Sequence, residues 1–89
     1  MTNDDIIRKV NEVFIESFEL DAEQLKPAAN IFMDLGLDSL DVVDLVVALQ
    51  NKFGVKIRSD ERVRNIRTLS DLQNFIIALR DEGGFTQNA

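Results

Sequence analysis

The stretch that decides the fold is residues 38–54, which read DSLDVVDLVVALQNKFG. Its run of branched apolar side chains would also suit a buried strand. The length of the stretch, its two interrupting aspartates and the helix-stopping Gly54 favour a helix instead. We therefore predict a largely buried helix that begins at residues 38–39 and ends at residue 53.

The chain before this helix contains a second helical pattern. Apolar side chains recur at spacings of three and four residues from Ile6 to Phe18, which predicts an amphipathic helix near residues 3–18. Thr2 or Asn3 can cap the first turn of this helix. Two aspartates follow in that turn, where negative charge interacts favourably with the helix dipole.

The chain after the central helix ends with a third helical pattern, which predicts a helix near residues 69–82. Either Thr68 or Ser70 can cap this helix, and Gln73 stands in capping-box position to Ser70. Ahead of it, a helix-start signal and a short apolar edge over residues 59–66 predict one additional helix of one or two turns.

The connection between the first two main helices is unusually long. Residues 19–37 contain no long periodic element apart from a turn signal at residues 21–24, so this loop must be internally packed or functional. The predicted architecture is all-α: a small four-helix bundle, with three main helices plus a short third one. Because 89 residues suit one core, we predict a single domain over residues 1–89, with a frayed tail at 85–89.

Composition excludes several classes of function. The chain has no His and no Cys, so it cannot supply a Ser-His-Asp triad, a cysteine nucleophile or a zinc site of the usual ligands. We therefore expect a protein that is not an enzyme and takes any reactive thiol from a cofactor or a partner. No apolar run approaches the length of about 18 residues that membrane insertion needs. The acidic N-terminus lacks signal-peptide features, so we expect a cytoplasmic protein.

Charge is divided unevenly along the chain, whose net charge is −6. Residues 1–51 carry three basic and eleven acidic side chains, whereas residues 52–89 carry seven basic and five acidic ones. The acidic half disfavours binding to nucleic acid and anionic membranes, and it favours partners that present Lys and Arg. The alternative is that the acidic side chains only keep the protein soluble.

Ser39 stands where the long loop meets the start of the second main helix. If Asp38 is the N-cap, Ser39 is the first helical residue and its hydroxyl is free to point into solvent. A phosphate on that hydroxyl would lie beside unsatisfied backbone N–H groups and the positive end of the helix dipole. The alternative is that Ser39 merely caps the helix.

Three neighbouring motifs read FMDLGLDSLD at residues 32–41, VVDL at residues 42–45 and FGVKI at residues 53–57. Together with the length, the acidity and the long first loop, they resemble an acyl carrier protein. The resemblance implies that a phosphopantetheinyl transferase esterifies Ser39 with phosphopantetheine, and that Asp38 helps to place the transferase's magnesium. The thiol of that arm would carry acyl groups as thioesters in fatty-acid, specialised lipid or polyketide biosynthesis, which explains a chain without cysteine.

The same resemblance implies which side chains meet partner enzymes. Leu40, Asp41, Val43 and Asp44 lie on neighbouring turns beside the arm, although the two aspartates can instead form a merely solvated stripe. The expected partners are acyl-activating, ketosynthase or acyltransferase enzymes with basic patches, and the carrier is expected to be a monomer. The acyl chain is expected to fold back among the helices into a tunnel, lined by Phe32, Val43, Val47, Leu49, Ile57, Ile66 and Ile76.

One region departs from the family pattern. Residues 52–67 hold six basic side chains against two acidic ones, where fatty-acid carriers are typically acidic. This departure favours a specialised carrier over one that serves the general fatty-acid cycle. Two other functions stay open. One is a carrier of amino or aryl acids, against which Asp38 and the acidic stripe argue, and the other is a helical interaction module in which Ser39 is only a cap.

Overall fold

The structure is a computed structural model that describes residues 1–57 and 61–83. Its three α-helices are α1 (Asn3–Phe18), α2 (Ser39–Phe53) and α3 (Leu69–Asp81). The predicted all-α fold and its three main helices are therefore confirmed. Within the described ranges, no helix is both long enough and apolar enough to cross a membrane.

Two short 3-10 turns complete the described elements. One turn, Ala22–Gln24, lies in the long loop at the predicted turn signal, and the other, Glu61–Asn65, precedes α3. The second turn stands in the place of the predicted short helix and is tighter than an α-helix. The predicted start of that helix at residues 59–60 and the predicted frayed tail at residues 85–89 lie outside the described residues.

Capping boxes mark the starts of α1 and α3. Thr2 Oγ1 accepts a hydrogen bond from the Asp5 N–H at 3.1 Å, and Asp5 Oδ2 accepts one from the Thr2 N–H at 3.2 Å. Thr68 and Asp71 exchange the same two hydrogen bonds, both at 3.1 Å. Among the predicted alternatives, the caps are therefore Thr2 and Thr68.

The predicted pairing of Ser70 with Gln73 is wrong. Ser70 already lies inside α3, and its backbone N–H donates to the Pro27 carbonyl of the long loop at 2.9 Å. The Gln73 side chain is only 6% exposed, and its amide donates to Asn11 Oδ1 on α1 at 3.2 Å. Gln73 therefore joins two helices, because its side of α3 faces α1 and not the helix terminus.

One hydrophobic core lies among the helices, with α1 packed against both α2 and α3. The long loop closes this core through four buried side chains, which are Leu25, Ile31, Leu35 and Leu37. The backbone N–H of Ile31 also donates to the Arg67 carbonyl at 2.8 Å, which fastens the loop beside the start of α3. Internal packing is thus the reason that so long a loop persists in a small domain.

The prediction that α2 is largely buried is wrong for one of its faces. Within α2, the fully buried side chains are Leu45, Leu49 and Phe53. By contrast, Leu40 and Val43 are exposed. The reason is that the core packs against one side of α2, whereas the opposite side faces solvent although it is also apolar.

Gly54 ends α2 as predicted. Its φ of +67° lies in the left-handed region that side chains disfavour, and its N–H donates to the Gln50 carbonyl at 2.8 Å. The chain then turns back toward the core, where Val55 and Ile57 are buried.

Candidate functional site

The loop before α2 is held by hydrogen bonds that it makes to itself. Asn30 Oδ1 accepts from the backbone N–H groups of Phe32 and Met33, both at 2.9 Å. Asp34 Oδ2 accepts from the Asn30 N–H at 2.7 Å. These side-chain acceptors satisfy backbone donors that lack partners in a regular helix or strand, so this part of the loop keeps a defined shape.

Gly36 allows the loop to turn into α2. Its φ of +78° is a left-handed conformation that glycine adopts without strain. Leu35 and Leu37 on either side are both buried, and the Leu37 N–H donates to the Ile31 carbonyl at 3.2 Å. The chain is therefore anchored in the core on both sides of the turn, immediately before the candidate serine.

A capping box formed by Asp38 and Asp41 begins α2. The Asp41 N–H donates to Asp38 Oδ1 at 2.9 Å, and the Asp38 N–H donates to Asp41 Oδ2 at 3.1 Å. Of the two candidate caps, Asp38 is thus the N-cap, and the alternative that Ser39 caps the helix is wrong. The capping role of Asp41 is absent from the sequence-based expectations, although the Asp-x-x-Asp spacing signals it. It leaves Asp41 half-buried and engaged with the backbone.

Ser39 is the first residue of α2, and it is exposed. Its hydroxyl forms no hydrogen bond with any residue in the described ranges, and the same is true of the backbone N–H groups of Ser39 and Leu40. Such first-turn amides carry the positive end of the helix dipole. The site therefore combines an accessible hydroxyl with two amides that favour an anion attached to it.

Exposed apolar side chains flank Ser39 along the chain. Leu40 is 75% exposed and Val43 is 56% exposed, so both of these predicted partner-binding residues are accessible. Met33, which was not among the predicted residues, is 84% exposed in the preceding loop. Asp44 is exposed on the next turn of α2. Apolar groups displayed together with carboxylates are typical of a surface that binds other proteins.

A cavity of about 40 Å³ lies between α2, α3 and the segment before α3. Its lining side chains are those of Ile31, Phe32, Val42, Leu45, Val46, Leu49, Ile57, Val63, Ile66, Leu72 and Phe75. Four of the side chains predicted to line a tunnel are among them: Phe32, Leu49, Ile57 and Ile66. The predicted apolar interior between the helices is therefore present, although it is small.

The tunnel prediction is wrong for Val43, Val47 and Ile76. Val43 and Val47 lie on the exposed side of α2, and Ile76 is fully buried in the core without lining the cavity. Because α2 is apolar on most of its circumference, its periodicity does not tell which valines face inward.

A shallow groove of about 230 Å³ runs along the outside of α2 beside this cavity. Val42, Val46 and Val63 line both the groove and the cavity, whereas Val43 lines the groove. Ser39 lies one helical turn before Val42 and Val43. The groove therefore begins close to the candidate attachment residue and leads to the cavity wall.

Lys52, at the end of α2 opposite to Ser39, pairs with α1. Its ammonium lies 3.2 Å from Glu12 Oε1 and 3.6 Å from Glu16 Oε1. The hydrogen bond from Lys52 lowers the pKa of Glu12 below its ordinary value, and the same bond raises the pKa of Lys52. Lys52 thus joins the two helices. It also places a positive charge in the last turn of α2, whereas the aspartates of α2 lie near Ser39.

Comparison with known proteins places these features in a family. Residues 8–76 match the family described as "Phosphopantetheine attachment site". The chain is 40% identical over 74 residues to an acyl carrier protein of Helicobacter hepaticus, and the alignment covers 83% of this chain and 96% of that protein. The chain therefore belongs to the phosphopantetheine-binding carrier proteins, which carry a prosthetic group for enzymes and are not themselves catalysts.

Proposed function

We propose that Ser39 bears the phosphopantetheine and that the protein carries acyl groups as thioesters. The observation that supports this best is the exposed Ser39 hydroxyl, which has no hydrogen-bond partner in the described chain and lies beside free first-turn amides. When attached, phosphopantetheine supplies the thiol that a chain without cysteine lacks. The similarity to an acyl carrier protein over most of the chain supports acyl groups as the cargo.

The other described hydroxyls suit attachment less well. Those of Thr2 and Thr68 are engaged as cap acceptors at the starts of α1 and α3. Ser70 is half-buried inside α3. Ser17 is exposed, but it lies in the last turn of α1, where the helix dipole disfavours an anion. Among these residues, only Ser39 combines exposure, a position at a helix start and a hydroxyl that is not engaged as a cap acceptor.

Asp38 is the residue that we propose to help place the transferase's magnesium. Its Oδ1 caps α2, and its Oδ2 accepts no hydrogen bond from the residues that the structure describes. The residue is exposed and adjoins Ser39. A carboxylate oxygen is a ligand that Mg²⁺ prefers, so Asp38 fits this role without giving up its cap.

Partner enzymes are proposed to dock over Leu40, Val43 and Asp44. The apolar pair offers area to bury, and the carboxylate complements basic patches on the transferase and on acyl-activating, ketosynthase or acyltransferase enzymes. Asp41 contributes less, because its carboxylate is engaged in the capping box. The six basic side chains of residues 52–67 favour a pathway with specialised enzymes. The carrier is expected to act there as a cytoplasmic monomer.

Intact-mass measurement tests the attachment. The protein is incubated with a phosphopantetheinyl transferase, coenzyme A and magnesium, and we expect a gain of one phosphopantetheine per chain. Ser39→Ala is expected to gain nothing, and Ser17→Ala, which removes an exposed hydroxyl elsewhere, is expected to gain as much as the unmodified protein. Loading of Ser39→Ala, or failure to load a folded unmodified protein, would contradict the proposal.

A second measurement tests the cargo. The arm-bearing protein is offered to an acyl-activating enzyme and to an aminoacyl-activating enzyme, and the thioester formed is identified by mass. We expect acyl loading to dominate. Dominant aminoacyl loading would instead support a carrier of amino acids. Mass spectrometry of the protein isolated from its own source would then identify both the prosthetic group and the cargo.

A further inference from the structure

The cavity is too small, as it stands, for an acyl chain of any length. It measures about 40 Å³, whereas an engineered apolar cavity of about 150 Å³ accommodates benzene, with six carbons. Protein interiors are close-packed, so the missing volume must come from movement of a wall. The length of acyl chain that the cavity can accommodate therefore depends on the part of its wall that moves most easily.

The wall that resists least is residues 61–66, here called the cover segment. The long loop, α2, the segment after α2 and α3 each contribute at least one buried side chain to the cavity, even though α2 also contributes the half-buried Val42 and Val46. The cover segment contributes only half-buried side chains, those of Val63 and Ile66. No side chain of its 3-10 turn is fully buried. Its backbone hydrogen bond from the Ile66 N–H to the Val63 carbonyl is long, at 3.3 Å.

Arg62 restrains the cover segment from outside. Its Nη1 donates to Glu82 Oε2 at 2.7 Å and its Nη2 donates to Glu82 Oε1 at 3.0 Å, a two-bond pairing that ties the segment to the end of α3. The guanidinium carbon lies 5.2 Å from the centre of the Phe75 ring, within range of a cation–π contact. Phe75 lines the cavity, so Arg62 covers the outer side of a cavity wall.

We propose that Arg62 is a specificity-determining residue: the clasp that it forms with Glu82 over Phe75 limits how far the cavity expands, and hence how long an acyl chain it admits. The naming of an acyl chain as occupant rests on the proposed function. That Arg62 and Glu82 together restrain the cover segment does not depend on the proposed function. Arg62 acts through the wall and does not itself contact the occupant.

The expected effect is modest because the clasp is partly exposed. The side chains of Arg62 and Glu82 are 44% and 53% exposed. An exposed ion pair and a partly exposed cation–π contact each shift an equilibrium by about two- to fivefold, so loss of both should favour the expanded cavity by about four- to twenty-fivefold. Loss of the ion pair alone should favour it by about two- to fivefold. Salt should weaken the ion pair and so reduce the difference.

The first experiment uses the protein without an arm. Benzene is titrated into the unmodified chain, Arg62→Gln and Glu82→Gln, and binding is followed through the methyl NMR signals of Leu49 and Ile57. We expect Arg62→Gln, which loses both contacts, to bind benzene about four- to twenty-fivefold more tightly. Glu82→Gln, which keeps the cation–π contact, is expected to bind about two- to fivefold more tightly. Arg64→Gln is the matched control, because it removes one charge from the same segment and leaves the clasp in place, and it is expected to bind as the unmodified chain does.

Exchange of the two charges tests the pairing itself. Arg62→Glu combined with Glu82→Arg restores the ion pair and is expected to return benzene affinity toward that of the unmodified chain. Equal benzene affinities for Arg62→Gln and Arg64→Gln would overturn the proposal.

Hydrogen exchange separates a local restraint from a general loss of stability. In Arg62→Gln, the protection of the Ile66 amide is expected to fall by about four- to twenty-fivefold. The amide of Leu49 in α2 is expected to keep its protection. Equal losses at both amides would mean that Arg62 only stabilises the fold, and they would overturn the proposal.

The second experiment concerns the acyl chain. Ser39 is loaded with a butanoyl or an octanoyl arm, and each thioester is cleaved with hydroxylamine. Because the clasp opposes expansion, we expect Arg62→Gln to slow cleavage of the octanoyl form relative to the butanoyl form by about two- to fivefold. An unchanged ratio would overturn the control of chain length. If Ser39 cannot be loaded, the proposed function fails, whereas benzene binding and exchange still decide whether the clasp restrains the cavity.

Discussion

Two short segments border the same cavity but are held in place differently. Each contributes two side chains to the cavity wall: Ile31 and Phe32 from residues 30–38, and Val63 and Ile66 from the cover segment. The first segment is fixed by side-chain acceptors for its own backbone and by two buried leucines. The second has half-buried apolar side chains and a clasp to the end of α3.

The comparison shows how one small fold holds Ser39 in a fixed position and still has a cavity wall, the cover segment, that can move. The capped loop presents Ser39 at a constant place, and this suits its proposed role as the attachment residue. The cover segment opens when a pair of side chains separates, and this suits a wall that must move for an occupant. The two segments differ in the contacts that hold them. Hydrogen bonds between side chains and the backbone of residues 30–38 are lost only when that segment unfolds locally, whereas the exposed Arg62–Glu82 pair can separate without any unfolding.

The largest expected effect is on the free energy of unfolding, when a buried leucine of the first segment and a half-buried valine of the second are each replaced by alanine. Leu37→Ala should lower the free energy of unfolding by about 2 to 5 kcal/mol, because it leaves a cavity beneath the loop. Val63→Ala should lower it by only about 1 kcal/mol, because that side chain is half-buried. Urea denaturation measures both, and equal losses would remove the distinction between the two segments.

The next effect concerns the cap of α2. Asp38→Ala should lower the free energy of unfolding by about 0.5 to 2 kcal/mol, because the Asp41 N–H loses its acceptor. Asp38→Asn keeps an acceptor at the same place and is the matched control, expected to lose less. If both variants were equally unstable in thermal unfolding, the charge of Asp38 and not its cap would fix the first segment.

A smaller effect concerns the charge of α2. Asp44→Lys should weaken binding to a phosphopantetheinyl transferase by about three- to tenfold at low ionic strength, and high salt should reduce the loss. Glu23→Lys makes the same change of charge in the long loop and should leave the affinity unchanged. Calorimetric titration at two salt concentrations checks this, and equal losses in both variants would show that only net charge matters.

The smallest effect concerns the start of α3, just after the cover segment. Hydrogen bonds from the backbone N–H groups of Thr68 and Arg67 lower the pKa of Asp71 below its ordinary value of 3.8. A lowered pKa adds stability that is present above the ordinary value and is lost as pH falls through the lower, folded value. Asp71→Asn keeps an acceptor oxygen but cannot titrate there, so its stability should fall less steeply below about pH 4.

Thermal unfolding from pH 2 to pH 7 measures this dependence. Glu23→Gln removes an exposed carboxylate elsewhere and serves as the control, expected to follow the unmodified protein. If Asp71→Asn were as acid-sensitive as the control, the hydrogen bonds to Asp71 would contribute nothing to acid stability.

Local signals in the sequence were sufficient for much of the fold and for the position of the candidate serine. Thr2 and Asp38 were each among the candidate caps that the sequence offered, and Gly54 ends α2 as predicted, because these roles depend on neighbours within three or four residues. The same reasoning misses the role of Asp41, although the signal was present. It also wrongly assigns Gln73 to a capping box, because a glutamine can serve either in a capping box or in a contact between helices, and the local sequence does not distinguish the two.

The sequence by itself determined the three helices, narrowed each N-cap to two residues and placed Ser39 at a helix start, since each of these rests on contacts between residues close in the chain. Only the tertiary structure decided which valines of α2 face the cavity, because that helix is apolar on most sides and its exposed face depends on where the core packs. It also decided that Arg62 meets Glu82, twenty positions later, because a pairing at that separation depends on how the intervening chain folds.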